Sequence, residues 1–149
     1  MRRLVQPKGI VIHHSATRDT DSISYNAIRK YHVDTMDWDE IGYHYLIEDT
    51  EYGINFFTGR GLQYEGAHTV GRNDMVGICV VGNYDKETPT NDHIEALVRL
   101  LVAQLSMYPH LTKDDIHFHN ETSPKTCPGL NFPTLSQLRA WVDIKRKYL

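Results

Sequence analysis

Residues Met75 to Val81 read Met-Val-Gly-Ile-Cys-Val-Val, an uncharged run too short for an ordinary helix. Such a run is a strand buried on both faces, and it belongs at the centre of a sheet with cover on either side. Gly9 to His14 (GIVIHH) is a second buried strand of β-branched character. Tyr43 to Ile47 and Ile54 to Thr58 read as two further strands, joined by a hairpin turn in the polar segment Glu48 to Gly53. Ile116 to His119 is a short fifth strand.

Helical spacing separates these strands. From Ser24, the residues Tyr25, Ile28, Tyr31 and His32 fall on one side of a helix that ends before Asp37. Thr90 is an N-cap for a long helix reaching Met107, with Ile94, Leu97, Val98, Leu101 and Leu105 on its apolar face. Thr134 caps a last helix that carries Leu135, Leu138, Trp141 and Val142. The order predicts an α/β fold, a mixed central β-sheet of about five strands flanked by about three helices. Without repeats, low-complexity tracts or a Pro/Gly/Ser linker, residues 1–149 are expected to form one domain. Two segments stay irregular: a polar loop after Ser15-Ala16-Thr17, and the proline-punctuated stretch Asn120 to Pro133. Gly59 to Asn73 is long, polar and glycine-rich, as expected of a substrate-facing loop.

Composition excludes several classes. A formal charge of −3 gives no general attraction for nucleic acid or an anionic membrane. No stretch approaches the roughly 18–20 apolar residues that span a bilayer. The N-terminus has two arginines but no apolar segment of signal-peptide length, so synthesis in the cytoplasm is expected. A substrate beyond the membrane would then be reached only once the membrane is permeabilised. Cys79 and Cys127 occupy unlike settings, an apolar run and a Lys-Thr-Cys-Pro turn, and are expected to be unpaired.

Nine histidines stand out against this ordinary background. His13 and His14 end the first strand, His119 ends the fifth, and Cys127 follows eight residues later. Neutral imidazoles and a thiolate suit zinc, and three protein ligands leave the fourth position to water, the arrangement of a catalytic site. Taken singly, each residue has a plainer reading: a strand-end histidine is commonly a packing residue, and a lone cysteine commonly inert core. No local motif joins them.

Read together and in order, five segments carry a resemblance. They are His13–Thr17 (HHSAT), Ile41–Tyr45 (IGYHY), Gly66–His68 (GAH), Val76–Gly82 (VGICVVG) and His119–Pro128 (HNETSPKTCP). The chain resembles the zinc-dependent N-acetylmuramoyl-L-alanine amidases, the family of short phage amidase endolysins and animal peptidoglycan recognition proteins. The resemblance implies hydrolysis of the lactyl–L-alanine amide bond of bacterial peptidoglycan by zinc-activated water, and in the phage form a role as an endolysin in host lysis. It implies Zn2+ held by His13, His119 and Cys127, catalytic roles for Tyr43 and Lys125, and a substrate-groove position for His68. His14 falls where the family varies, with its ring on the opposite face of the sheet because side chains alternate along a strand. Asn120 and Glu121 are candidates to support the ligand imidazoles or are simply solvated turn residues. His44 is a core candidate, while His32, His93, His110 and His117 are expected to be structural or superficial.

No separate wall-binding domain is expected beside the catalytic one, and nothing in the sequence suggests more than a monomer. Relatives that also bind RNA polymerase use an N-terminal extension, and only Met1 to Lys8 precede the first strand here, which puts that second role in doubt. Three competing readings remain: a recognition module that has lost hydrolysis, a cytosolic recycling amidase, and a cysteine hydrolase with Cys127 as nucleophile and His119 as base. Recycling amidases carry an aspartate at the third ligand, and non-hydrolytic recognition proteins usually lack the cysteine.

Overall fold

The computed structural model describes residues 1–17 and 24–148. The polar loop expected after Thr17 lies outside the described residues. Five strands, β1 (Ile10–His14), β2 (Tyr45–Thr50), β3 (Gly53–Thr58), β4 (Val76–Val80) and β5 (Ile116–Phe118), form one sheet in the order β3-β2-β4-β1-β5. The β2–β3 pair is antiparallel and every other pair is parallel, so the sheet is mixed as expected. The most apolar run of the sequence, β4, is its central strand. All five residues of β1 and of β4 are buried, because both faces are covered.

Side-chain alternation assigns the faces. Ile10 and Ile12 of β1 and Val76, Ile78 and Val80 of β4 pack with Leu97, Leu101 and Leu105 of α2 (Asn91–Met107) and with Leu138 and Val142 of α3 (Leu135–Lys147). Cys79 and Val81 point the other way, joining Ile41 and Leu46 beneath Tyr25 and Ile28 of α1 (Ser24–Lys30). Full burial of one side chain such as Leu101, which is inaccessible to solvent, contributes roughly 1.5–3 kcal/mol. On α3 the expected apolar face is narrower, with Trp141 at its rim and 38% exposed.

Local chemistry fixes the ends of the elements. Thr90 and Thr134 both cap as expected, their hydroxyls accepting from the backbone N–H of His93 and Gln137. The N-terminus of α1 is capped by the sheet beneath it: Ser24 N–H and Tyr25 N–H both donate to the buried Glu48 carboxylate of β2, at 2.7 and 2.9 Å. Beyond α1 the chain continues as a single π-helical turn, Tyr31–Thr35.

Several strand boundaries shift by a residue or more from the sequence reading, and two of the shifts matter for the site. β2 begins at Tyr45, so Tyr43 and His44 lie just before it. There they are held by backbone bonds to the loop, from Arg60 N–H to Tyr43 O and from Gly59 N–H to His44 O. β5 stops at Phe118, and His119 opens a tight 3₁₀ turn, His119–Glu121. The long loop after β3 is anchored by Arg60, whose guanidinium donates to the carbonyls of Ile41, Glu65 and Glu40.

Candidate metal centre and active site

The parallel strands β1 and β5 run side by side and deliver their C-terminal ends to one edge of the sheet. That is the edge where open α/β sheets ordinarily gather their ligands. His13, next to the end of β1, lies on the α1 face, opposite Cys79 of β4. His119 follows β5 directly. The chain then loops back, and His14 N–H donates to Cys127 Sγ at 3.3 Å while Asn120 N–H donates to Cys127 O at 2.8 Å. A second fastening comes from the turn after β4. Asp85 accepts from the Thr126 hydroxyl at 2.7 Å and from Leu130 N–H at 2.9 Å, and Asn131 N–H donates to Tyr84 O at 2.7 Å. At Gly129, where φ is +125°, a Cβ would lie 2.5 Å from the Tyr84 backbone, so only glycine lets the two turns meet.

This folding brings together three donors far apart in sequence. One donor atom from each of His13, His119 and Cys127 lies within 4.8 Å of the other two. His13 Nδ1 is 3.8 Å from Cys127 Sγ, and the His13 and His119 ring centroids are 4.6 Å apart. Two imidazole nitrogens and one sulfur, at the floor of a cleft, fit zinc in donor chemistry and in number, with room for a fourth ligand from solvent. The cleft encloses about 440 Å³. Tyr43, His68 and Lys125 line its walls, with Ser15, Ala16, Asp85 and Thr126.

Burial dominates the electrostatics. It holds the His13 imidazole well below its ordinary pKa, helped by the nearby rings of His68, His119 and His14. His119 is lowered by burial and then by the Lys125 ammonium. Both rings are therefore neutral at pH 7, the protonation state a metal requires. The Cys127 thiol is pushed up to about 11, burial outweighing the opposing pull of the His14 N–H and Lys125. Lys125 thus favours the thiolate, as its place two residues before the cysteine suggests, but burial of the thiol outweighs it. Burial also raises the Tyr43 phenol well above its usual range, with Cys79 and Cys127 adding to the effect, so the phenol keeps its proton.

The remaining histidines separate cleanly. His14 turns to the α2 face, where Tyr84 N–H donates to its Nδ1 at 3.1 Å and the two rings stack. His68 stands behind His13, its Nδ1 3.0 Å from His13 Nε2 and its Nε2 3.0 Å from Met75 O. Both of its nitrogens therefore face protein atoms, although the ring lines the cleft. His44 is a core clip, donating to Tyr64 O and accepting from Gly77 N–H. His32 accepts from Gly42 N–H, His93 completes the cap of α2, and His110 donates to Pro7 O. Glu121 accepts from Phe118 N–H at 2.7 Å and faces His117, so its carboxylate serves the turn. Asp85 and Thr69 were not among the expected site residues. No local motif marks Asp85, and Thr69 could have been suggested only by its place next to His68.

The chain belongs to the N-acetylmuramoyl-L-alanine amidase family, whose sequence model matches residues 3–130. Peptidoglycan-recognition protein SC2 of Drosophila melanogaster is 31% identical over 141 residues, covering 91% of this chain and 74% of that protein. The endolysin of Escherichia phage T7 is 29% identical over 128 residues, covering 82% of this chain and 80% of the endolysin. Among solved structures, the N-acetylmuramoyl-L-alanine amidase LysC from Clostridium intestinale superposes with a TM-score of 0.78 at 28% identity, covering 93% of this chain and 86% of LysC.

Proposed function

We propose that this protein is a zinc-dependent N-acetylmuramoyl-L-alanine amidase that hydrolyses the lactyl–L-alanine amide of bacterial peptidoglycan. Family membership and the amidase and endolysin relatives support a peptidoglycan amidase activity. The observation that carries the finer reading is the convergence of His13, His119 and Cys127 donors within 4.8 Å, at the floor of a cleft walled by Tyr43 and Lys125.

His13, His119 and Cys127 would hold the metal. Zinc bound there supplies a Lewis acid and a water with pKa lowered to about 7. The protein's own groups then act on the amide. As the carbonyl carbon is attacked, its oxygen gains negative charge, and charge in a water-poor cleft is stabilised by fixed donors. The protonated Tyr43 phenol donates a hydrogen bond to that oxygen or holds the attacking water. The exposed Lys125 ammonium, on the cleft wall, brings positive charge to the same oxygen. Asp85 keeps Lys125 and Cys127 in place by anchoring Thr126 between them. His68 closes the cleft behind His13, the substrate groove meeting its ring edge.

A buried thiol with a pKa of about 11 is a poor nucleophile at neutral pH, which counts against the cysteine-hydrolase reading. The phage endolysin relative supports a role in host lysis, with residues 1–149 serving as a catalytic domain on the cell wall. Among the described residues no helix is long and apolar enough to cross a membrane.

Purified peptidoglycan tests the proposal. New L-alanine amino termini without new reducing sugar ends, lost on chelation and restored by zinc, are the expected result. Stoichiometric zinc with no amine released from any wall would overturn hydrolysis in favour of a recognition module, the activity for which one set of relatives is named. Amine release indifferent to chelation would remove the metal from the reaction.

A further inference from the structure

We infer that His68 is a positioning residue for His13: it accepts the His13 Nε2 proton and so reserves Nδ1 for the metal. The inference rests on the proposed zinc site. It concerns a residue on which sequence resemblance implies substrate contact.

The argument starts at Met75. A backbone carbonyl only accepts, so the 3.0 Å contact between His68 Nε2 and Met75 O requires a proton on Nε2. In a neutral imidazole the other nitrogen is then an acceptor. His68 Nδ1 faces His13 Nε2 at 3.0 Å and the Thr69 hydroxyl at 2.8 Å. For His13 Nε2 to bond with an acceptor it must donate, which leaves the lone pair on Nδ1. That atom faces Cys127 Sγ. Thr69 Oγ1, 3.2 Å from His13 Nε2, can take a share of the same proton, and it is itself buried. The chain His13–His68–Met75 thus selects the tautomer and fixes the ring plane of the deepest of the three donors.

The fold makes room for this ring deliberately. A Cβ at Gly66 would lie 2.3 Å from the His68 ring and one at Gly77 would lie 2.4 Å from it. Gly77 lies within the buried central strand, where any larger residue would displace the imidazole. Asn73 Oδ1 accepts from both His68 N–H and Thr69 N–H, at 2.8 and 2.9 Å, fixing the backbone that carries the two supporting groups.

The test uses two readouts that need no substrate. Long-range ¹H–¹⁵N spectra of histidine-labelled, metal-free protein report which nitrogen of His13 is protonated. Competition with a chromophoric chelator reports zinc affinity. Wild-type protein is expected to show His13 protonated on Nε2. His68→Phe keeps a flat aromatic ring, somewhat larger than imidazole, and removes the acceptor; it is expected to mix the His13 tautomers and weaken zinc binding by about 10–100-fold, the usual cost of losing an outer partner. His68→Gln, which can accept at one end and donate at the other, is expected to restore most of that affinity. Wild-type His13 protonated on Nδ1 would overturn the inference, as would unchanged zinc affinity in folded His68→Phe protein. Should His68→Phe not fold, the wild-type tautomer and the His68→Gln affinity still decide. Wild-type protein that binds no zinc would overturn the proposed function instead, and the tautomer spectrum would still establish whether His68 holds His13.

Discussion

The two faces of the central sheet solve the problem of burial differently. Under α2 and α3 lies a continuous apolar layer that includes Ile10, Ile12, Ile78, Leu97, Leu101 and Leu138. Under α1 the apolar group shrinks to Ile41, Leu46, Cys79 and Val81, and around it are buried His13, His44, Glu48, Arg60 and Thr69. A buried polar group is tolerated only when it is bonded, and these are. Arg60 donates to three carbonyls, Glu48 accepts from two N–H groups, and His44 is held at both nitrogens. The layer under α2 and α3, where His14, His93 and Gln104 are the buried polar groups among the described residues, supplies stability with few directional demands. The polar face supplies direction, and the site is built on it.

If that division is real, substitutions on the two faces should fail in different currencies. The largest effect on activity is expected from Cys127→Ser, which should lose zinc and amide hydrolysis together. Its metal-free stability should stay within about 1 kcal/mol of wild type, because serine can also accept from His14 N–H. Metal analysis and chemical unfolding in chelator check both halves. Lys125→Ala and Tyr43→Phe come next. Each should keep its zinc and lower kcat by about 10²–10³-fold, the typical loss of one donor to a developing oxyanion. Normal turnover in either zinc-loaded variant would remove that residue from the mechanism.

On the other face, Leu101→Ala should cost about 2–5 kcal/mol of stability while the folded fraction keeps its zinc and its kcat/KM. A Leu101→Ala protein that folds but cannot bind zinc would break the comparison. The smallest effect is the pH dependence of the metal-free protein. Burial lowers His68 to about 3, and lowers His13 and His44 as well. The unfolded chain then binds more protons than the folded one below about pH 6.5, so this contribution is complete above that pH and is lost on acidification. For His68 alone the loss is about 2 kcal/mol between pH 6.5 and pH 5, readable as a falling urea midpoint. A flat midpoint over that interval would show that the polar face takes up protons without opening.

Much of the architecture is legible in the sequence because it is written locally. The seven apolar residues of Met75–Val81, the caps Thr90 and Thr134, and the 3.6-residue spacing of α2 each act within a few residues of themselves. What the sequence did not disclose is nonlocal. Tyr43 and His44 carry strand-like residue types, yet bonds from Arg60 and Gly59 hold them outside β2. Asp85 stands in a polar turn indistinguishable from a solvated one until residues 126–131 dock on it. The occupation of both His68 nitrogens depends on Met75 and His13, one in the next strand's approach and the other across the sheet. His13, His119 and Cys127 could be singled out as donors, but their meeting is a property of the strand order.

That strand order governs when the site comes into being. β1 is the first strand made, yet it is paired on one side by β4 and on the other by β5. Two of the three donors, His119 and Cys127, follow β5 in the chain. A ribosome-bound chain that has reached only α2 offers one donor of the set, and a misdocked β5 offers no better. Metal that binds the native arrangement and not its precursors draws the folding equilibrium forward by mass action. Zinc uptake would then mark completion of the topology, arriving when the C-terminal segments have docked and not before.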